Sequence, residues 1–359
     1  MNKILICGDL YDNGNLSFTN ELILLMKSSH VIVNLEAPII EFDKIPIEKN
    51  GPNLSHSFSI IKKMKDIGVK YCNLSNNHIC DYGERGLKST LDSLTNNDIV
   101  PFGYHIKNKT VGMVTFDINK KKIAVISYSD LEFNNINGSG AIIFGLSKVK
   151  RDIERIKKNF DFVIVLYHGG KEHFSIPSPN LKETCRYIID VGADLVLCQH
   201  SHIIGLIEKY KGKEICYGQG NFATSLTNNR NHEDGLIYEL TVKSNNIEIN
   251  KYLSSNIADV IQLNDLNKYN NVFPKIDLEN DKALLLLFKK NLDKEKSYYI
   301  DTLLGFGFFR KRIFRNKSSF LFQRIYKKRI IKLLNLIRSD TLREVSICIL
   351  EEFEGFKSE

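Results

Sequence analysis

Short apolar runs alternate with amphipathic stretches from the N-terminus to about residue 220. In the amphipathic stretches, apolar residues recur every three or four positions, as they do on one face of a helix. This alternation predicts an α/β fold in which helices pack on the faces of a sheet. The predicted strands are Lys3–Cys7, Val31–Leu35, Val69–Leu74, Ile123–Ser127, Phe162–Tyr167, Leu195–Cys198 and Ile215–Tyr217, and the predicted helices are Ser59–Ile67, Glu84–Leu94, Lys148–Lys158 and Asn180–Val191.

The pattern changes near residue 255. Two more strand candidates, Leu236–Val242 and Ile247–Leu253, are separated by a short polar stretch and predict a hairpin. We therefore predict a first domain over residues 1–255 and a mainly helical extension over residues 256–359. The predicted helices of the extension are Leu284–Leu292, Phe320–Ile337 and Leu342–Phe353.

The positive charge of the chain is concentrated in its C-terminal part. The whole chain has 50 Lys and Arg against 42 Asp and Glu, and residues 281–359 contain 18 and 10 of these. The excess in this part equals the net charge of the whole chain, +8. The first 280 residues are therefore neutral overall, and the extension is basic.

The seven cysteines predict buried free thiols rather than a disulfide framework. Their number is odd, none forms a Cys-x-x-Cys pair, and most lie in apolar runs. The sequence shows neither a basic segment followed by a long apolar stretch nor a run of about 18 apolar residues. We therefore expect a cytoplasmic protein.

Polar residues with ligand chemistry follow five of the predicted strands. Because strand ends of this kind meet in one crevice of an open α/β sheet, we expect these side chains to lie together. Carboxylate, imidazole and amide groups suit a divalent ion such as Mn, Zn or Fe, and the set could hold one or two ions. The five motifs are Gly8-Asp9, Glu36, Asn76-Asn77-His78, His168-Gly169-Gly170 and Gln199-His200-Ser201-His202.

Each motif alone has an ordinary explanation. Gly-Asp after a strand is usually a turn, and Asn-Asn-His is usually a loop that leads into a helix. The five motifs are evidence for a common site only when taken together, because each directly follows a predicted strand. The remaining histidines have no such relation, so we expect His173 in a solvated loop and the others at the surface: His30, His56, His105 and His232.

The ordered series of motifs resembles the CapA family, named for capsule and poly-γ-glutamate synthesis, within the calcineurin-like metallophosphoesterase superfamily. The resemblance covers about residues 1–225. It implies a metallophosphatase-type β-sandwich flanked by helices, here followed by the basic helical extension. The motifs that carry it are Gly8-Asp9, Asn34-Leu35-Glu36, Asn76-Asn77-His78 with Asp81 and Gly83, His168-Gly169-Gly170-Lys171-Glu172, Gly192-Ala193-Asp194, Gln199-His200-Ser201-His202 and Gly218-Gln219-Gly220-Asn221-Phe222.

The resemblance assigns a role to each motif. Two metal sites are implied, with Glu36 as the carboxylate between them. His78 would protonate the leaving group, and Asp81 would hold its imidazole. The first metal would be bound by Asp9 and His202, the second by Asn77, His168 and His200, and the substrate by Glu172 and Asn221.

Three positions depart from the family pattern. Tyr11 stands where the superfamily usually has a histidine ligand of the first metal. Gly169 replaces a tryptophan, and Gln199 replaces a glycine before the last histidines. Together these departures predict one tight and one weaker metal site rather than two fully occupied sites.

Two functions are compatible with these residues. The first is a metal-dependent hydrolase of capsule or envelope-polymer synthesis, in which a metal-bound hydroxide attacks a phosphoester or amide centre. Its substrate would be an anionic polymer, a phosphoester or an amide. The second is a non-catalytic, metal-binding component of a polymer-assembly complex. His78 favours the enzyme, because a structural metal site does not need an unligated acid, whereas Tyr11 favours the second function.

The basic extension allows three interpretations. Its helices could simply pack on the first domain, with their basic face in solvent. They could instead lie on an anionic membrane surface, as basic amphipathic helices do, which would place the protein at the inner face of the membrane. Binding of nucleic acid is the third possibility, and we do not expect it. The basic residues are Arg310, Lys311, Arg312, Arg315, Lys317, Arg324, Lys327, Lys328, Arg329, Lys332 and Arg338.

Overall fold

The computed structural model of the chain describes residues 1–41, 45–132, 138–225, 233–244, 246–267, 278–293, 295, 299 and 331–354. The strands are β1 (Lys3–Tyr11), β2 (Ser17–Phe18), β3 (His30–Leu35), β4 (Val69–Asn73), β5 (Val100–Phe102), β6 (Tyr104–Ile106), β7 (Lys109–Val111), β8 (Met113–Ile118), β9 (Lys121–Ser129), β10 (Gly140–Ala141), β11 (Phe162–His168), β12 (Leu195–Gln199), β13 (Ile207–Tyr210), β14 (Lys213–Cys216), β15 (Asn221–Thr224), β16 (Asp234–Val242), β17 (Ile247–Ile257) and β18 (Val260–Asn264). The helices are α1 (Asn20–Lys27), α2 (Ser59–Asp66), α3 (Gly83–Thr95), α4 (Leu146–Lys157), α5 (Pro179–Asp190), α6 (Asp281–Leu292) and α7 (Asp340–Glu354), and residues 331–338 are also helical.

Two large sheets organise these strands. The first has the order β2-β18-β17-β16-β1-β3-β4-β5, and β15 also pairs with β1. The second has the order β13-β14-β12-β11-β9-β8. In the first sheet β1, β3, β4 and β5 are parallel, and in the second β9, β11, β12 and β14 are parallel. Each parallel block therefore brings its carboxyl ends to one edge.

The sheets pack face to face, with helices on both outer sides. Successive side chains of β1 point to opposite faces of the sheet. Ile4 and Ile6 lie in a core cluster shared with β11 of the second sheet. Leu5 and Cys7 point to the other face and pack with α1, α2 and α3. Alternate residues of β11 likewise point to α4 and α5. Because side chains alternate between the two faces of a strand, buried strands of this kind are apolar throughout. The predicted helix-flanked β-sandwich is confirmed.

Local sequence explains how helix α5 begins. The backbone of Ser178 is extended, and its hydroxyl accepts a 3.1 Å hydrogen bond from the Leu181 amide. Pro179 follows at the first helical position of α5, where a missing N–H costs nothing. The sequence Ser-Pro thus fixes the entry into a helix that packs on β12.

The predicted elements are recovered with small shifts in their ends. Every predicted strand and every predicted helix before residue 225 is present, and β16 and β17 form the predicted hairpin. The first sheet continues past residue 255, because β17 ends at Ile257 and β18 pairs with it. Division into the two predicted domains stays a prediction.

In the extension, α6 and α7 confirm the first and third predicted helices. The second prediction, Phe320–Ile337, falls partly outside the described residues, and residues 331–338 are helical. The whole basic stretch from Arg310 to Arg329 also lies outside them. All seven cysteines are buried thiols outside any disulfide, as predicted. Within the described ranges, none of the helices is both long enough and apolar enough to span a membrane.

Candidate metal centre

The ligand motifs meet where the parallel strands of both sheets end. Asp9 lies inside β1 rather than in a turn after it, because the strand continues to Tyr11. Its register partner on β3 is Asn34, and on β15 it is Asn221. From the second sheet, His168 ends β11, and His200 and His202 follow β12. Residues of both sheets thus share one edge of the sandwich.

Asp9, Glu36 and His202 form a compact cluster. One ligand atom from each lies within 4.8 Å of the others. The Nδ1 atom of His202 is 3.7 Å from Asp9 Oδ2, and its Nε2 atom is 3.6 Å from Glu36 Oε1. Both carboxylates are 1% exposed. The two residues that the resemblance assigns to the first metal, Asp9 and His202, therefore lie together with the carboxylate that it places between the two metals, Glu36.

The second predicted set adjoins this cluster. His168 Nε2 is 3.0 Å from Asn77 Oδ1, and the His168 and His200 rings are 4.8 Å apart. His168 Nδ1 lies 3.9 Å from Asp9 Oδ1, so the two sets share a boundary. The structure therefore brings together all six predicted metal ligands.

Two buried atoms of the centre fit a cation that they would ligate. Glu36 Oε1 and His200 Nδ1 have no hydrogen-bond partner among the residues the structure describes. A buried polar atom without a partner costs about 1–3 kcal/mol. Such orphan atoms, in a set of two carboxylates and several imidazoles, are what a divalent ion would satisfy. The residues present therefore fit a metal.

The electrostatics of the cluster support the same conclusion. Burial raises the pKa of Glu36 well above its usual value, and the neighbouring Asp9 raises it further. Burial also raises the pKa of Asp9, although His202 opposes the rise. For His202, burial lowers the pKa, but Glu36 and Asp9 together outweigh it and raise the value to about 9. Two carboxylates that lie close together and away from solvent are stabilised in their charged forms only by a nearby positive charge, which protonated His202 or a metal ion can supply.

The loop that carries the last two histidines has unusual backbone geometry. His200 and His202 both have positive φ, at 87° and 58°. Residues of this kind are uncommon outside glycine and often mark functional sites. The His200 amide donates a 3.2 Å hydrogen bond to Asp9 Oδ2, which ties the loop to β1. Gly218 lets the loop pass, because a Cβ there would lie 2.5 Å from Ser201 Oγ.

Side-chain amides connect the two sheets beneath the ligands. Asn34 Nδ2 donates a 2.7 Å hydrogen bond to Asp9 Oδ1, and Asn34 Oδ1 accepts from Asn73 and Asn76 at 3.3 and 3.2 Å. Asn73 also donates to Gln199 Oε1 at 3.2 Å, and Gln199 donates to the Cys7 carbonyl at 3.3 Å. Gln199, which departs from the family's glycine, is therefore a buried cross-link between the sheets.

His78 and Asp81 form the predicted pair. His78 Nδ1 is 2.7 Å from Asp81 Oδ2, and the Leu54 amide donates to the same oxygen at 2.7 Å. Lys49 pairs with Asp81 and lies 3.1 Å from His78 Nδ1. Burial lowers the pKa of His78, and its hydrogen bond with Asp81 opposes that shift. Lys49, whose side chain is 1% exposed, is a site residue that the sequence patterns did not indicate.

Two glutamates stand on the other side of His200. Glu172, a predicted substrate-binding residue, has Oε1 3.8 Å from His200 Nε2. Glu132 was not predicted, and its Oε2 lies 3.4 Å from the same nitrogen. Burial raises the pKa of Glu132 to about 7, and Glu172 adds to the rise. The strand-end rule, applied to β9 as well, would have pointed to Asp130 and Glu132.

The other predicted residues have mixed outcomes. Asn221, predicted to bind substrate, has its Oδ1 atom 3.0 Å from His202 Nδ1. His173 is exposed, as expected, with its ring 5.8 Å from that of His202. The expectation for His56 is wrong: it is fully buried and packs on Tyr11, because its segment forms backbone hydrogen bonds with Pro38 and Ile40.

His30 and His105 are partly buried rather than simply at the surface, and His232 lies outside the described residues. The ring of His30 packs against Tyr71 and Phe116 at 6.3 and 5.4 Å. Neither residue approaches the ligand cluster in the way His200 does.

The four-layer, helix-flanked β-sandwich and the buried carboxylate–histidine cluster at its strand ends define a protein with a candidate metal centre. More specifically, the chain belongs to the family described as bacterial capsule synthesis protein PGA_cap, whose model matches residues 17–225. Similar curated proteins include the capsule biosynthesis protein CapA of Bacillus anthracis, 28% identical over 209 residues, which are 55% of this chain and 51% of that protein. Another is the PGA biosynthesis protein CapA of Bacillus subtilis (strain 168), 28% identical over 216 residues, which are 58% of this chain and 57% of that protein. The chain spans about half the length of the curated relatives it matches.

Solved structures resemble the chain more distantly. A putative 5'-nucleotidase from Staphylococcus aureus aligns with a TM-score of 0.47 and 14% identity, over 80% of this chain and 58% of that one. A phosphatase from Mycoplasma pneumoniae aligns with a TM-score of 0.45 and 15% identity, over 70% and 94%. Similarity at this level does not extend to function.

Proposed function

We propose that this protein is a metal-dependent hydrolase that acts in the synthesis of a bacterial capsule or a related envelope polymer. The observation that carries the proposal is the buried cluster of Asp9, Glu36 and His202 beside the bonded pair of His78 and Asp81. A purely structural ion site needs the ligands but has no use for an unligated imidazole next to them. Membership of the capsule-synthesis family supports the biological setting.

The ligand set divides between two ions. Asp9, Glu36 and His202 would hold one ion, and Glu36 with Asn77, His168 and His200 would hold the other. Oxygen and imidazole ligands without thiolate suit Mn, Zn or Fe. When bound, such ions lower the pKa of water towards about 7 and stabilise negative charge on the reacting group.

The protein's own residues supply the proton and the alignment. Asp81 engages Nδ1 of His78, so Nε2 is the nitrogen available to protonate a leaving group. Lys49 holds Asp81 from the other side and adds a positive charge at the rim of the cavity. Glu172 lines the same cavity, where it could bind a polar part of the substrate. Asn221 orients His202 and could reach substrate beyond it.

The substrate we propose is an anionic polymer or its precursor, cleaved at a phosphoester or an amide bond. The test is a screen of the metal-loaded protein against a phosphomonoester, a phosphodiester and a γ-glutamyl amide. We expect hydrolysis of at least one, abolished by a chelator and restored by Mn or Zn. A metal-loaded, folded protein that hydrolyses none of the three classes contradicts the proposal.

A second candidate is a non-catalytic, metal-binding component of a polymer-assembly complex. Tyr11 favours it, because this strand position lacks the expected histidine ligand and packs on His56 instead. A relative in Mycobacterium tuberculosis, 26% identical over 180 residues, is named a probable polyglutamine synthesis accessory protein. Metal binding without turnover in the same screen would favour this candidate.

A further inference from the structure

A cavity of about 200 Å³ opens beside the metal centre. On one side it is lined by residues of the sandwich, including the predicted acid His78 and the ligands Asn77 and His200. On the other side it is lined by the C-terminal extension. The lining residues of the extension are Glu295, Tyr299, Asn335, Leu336, Ser339, Thr341 and Leu342. Because the family match ends at residue 225, this wall comes from outside the matched region.

Polar contacts attach this wall to the strand ends of the site. Asp130, directly after β9, accepts a 2.9 Å hydrogen bond from the Ser339 hydroxyl and a 3.4 Å one from the Thr341 amide. Asp130 therefore places a carboxylate at the N-terminus of α7, where the helix dipole favours negative charge. Asn335 donates a 3.2 Å hydrogen bond to Glu132 Oε1. The wall thus touches a glutamate that faces His200.

Further contacts hold the extension in place from the side. Glu344 of α7 accepts hydrogen bonds from the Ser178 hydroxyl at 2.6 Å and from the Asn180 amide at 3.0 Å. Lys171, next to Glu172, pairs with Glu295 at 2.9 Å. An apolar cluster joins Phe174 of the sandwich to buried residues of the extension, which are Phe288, Leu292, Tyr299, Leu336, Val345, Cys348 and Ile349.

The helix at residues 331–338 presents two distinct faces. Asn335 and Leu336 are buried against the sandwich, and Ser339 follows one turn later. Ile337, between them, is 60% exposed. This alternation of buried and exposed positions is typical of an amphipathic helix, whose buried face here carries the Asn335 amide and the Leu336 side chain. The same short segment therefore provides both the wall and a matched control position.

We infer that this segment closes one side of the substrate cavity, so that the site accepts a small molecule or the end of an anionic chain rather than an internal stretch of polymer. This inference rests on the proposed function. A volume of about 200 Å³ is below the roughly 300–1,000 Å³ of pockets that hold drug-sized ligands. An internal segment of a polymer needs a groove that is open at both ends, whereas one side of this cavity is lined by the extension.

The first test measures access to the site without requiring turnover. The full-length protein is treated with diethyl pyrocarbonate, and modification of His78 is followed by peptide mass spectrometry. We expect Asn335→Ala, alone and with Leu336→Ala, to raise the rate at His78 at least threefold, because His78 is only 7% exposed behind the wall. Ile337→Ala should leave the rate unchanged, and the exposed His173 is the internal standard.

The second test measures the choice of substrate. Rates are compared for a ten-residue oligo-γ-glutamate with free ends and the same oligomer blocked at both ends, and for a phosphomonoester and its diester. We expect at least a tenfold preference for the free end or the monoester, which Asn335→Ala reduces at least threefold and Ile337→Ala does not. Circular dichroism confirms that each variant is folded, and Ser339→Ala replaces the double variant if that one is not.

The outcomes separate the two proposals. If the metal-loaded wild type hydrolyses none of these compounds, the proposed hydrolase is wrong, and the rate at His78 still decides whether the extension is a wall. If the wall variants leave that rate unchanged, the wall is wrong. If blocked and free chains react equally in the wild type, the restriction to chain ends is wrong.

Discussion

Replacement of the buried His56 by phenylalanine should remove part of the protein's sensitivity to acid. His56 is 0% exposed, its ring lies 5.2 Å from that of Tyr11, and its Nδ1 atom is 3.2 Å from the Asp12 carbonyl oxygen. Burial lowers the pKa of His56 from 6.5 to about 4, and the hydrogen bond with Asp12 only partly opposes it. A phenylalanine keeps a ring at this position but cannot bind a proton.

The sign and size of the effect follow from proton linkage. Between pH 6.5 and about 4 the unfolded imidazole binds a proton that the folded one does not, so the unfolded state gains stability as the pH falls. One pKa unit corresponds to about 1.4 kcal/mol. A shift from 6.5 to about 4 therefore removes about 3 kcal/mol of folding free energy over this range. Above pH 6.5 the group makes no pH-dependent contribution.

The assay is urea unfolding of the wild type and of His56→Phe at several pH values from 7.5 to 4. Carboxylates and the other histidines titrate in both proteins, so the difference between the two stability curves isolates His56. We expect the wild type to lose about 3 kcal/mol more than the variant on acidification. Parallel curves for wild type and His56→Phe would refute the assigned burial.

Three further predictions concern the site and the extension. His78→Asn should keep its metal but lose about 10²–10⁴-fold in turnover, since a general acid typically contributes that much; loss of metal in this variant would make His78 a ligand. Asn34→Ala should weaken metal binding, because the Asn34 amide donates a 2.7 Å hydrogen bond to the Asp9 carboxylate. The control variant Asn97→Ala, at the end of a helix away from the site, should bind metal as the wild type does. Titration calorimetry with Mn tests this, and equal affinities of the two variants would contradict it. The protein should sediment with anionic but not with neutral vesicles at low salt. Replacement of Arg310, Lys311 and Arg312 by glutamine should weaken binding to anionic vesicles by about 3 kcal/mol, at about 1 kcal/mol for each charge. Wild-type protein that does not sediment with anionic vesicles would contradict membrane binding and leave the extension as a packing element alone.

The fold and the grouping of the candidate ligands could be predicted from sequence because both depend on local patterns. Apolar runs and helical spacing determine which segments become strands and helices, and parallel strands place their carboxyl ends at one edge. The position of a ligand that immediately follows a strand can therefore be predicted without knowing which distant residues it contacts. This reasoning found Glu36, Asn77, His168, His200 and His202, and Asp9 as well, although Asp9 lies within its strand.

Residues outside that rule depend on how loops and termini fold back. Lys49 reaches Asp81 across a loop with no periodic pattern, so nothing in its neighbourhood indicates burial. His56 was assigned to the surface for the same reason, yet its segment pairs beside Ile39 and covers Tyr11. The bond between Asn335 and Glu132 spans 203 residues, a separation at which sequence spacing carries no information.

Metal analysis of the purified full-length protein tests the central claim most directly. Protein prepared without chelator should contain one to two equivalents of transition metal, and metal-stripped protein should take up Mn or Zn on titration. The His200→Ala, His202→Ala double variant should stay folded and lose the metal, because it removes an imidazole from each ligand set. Folded wild-type protein that carries no metal and takes up neither Mn nor Zn would contradict the account.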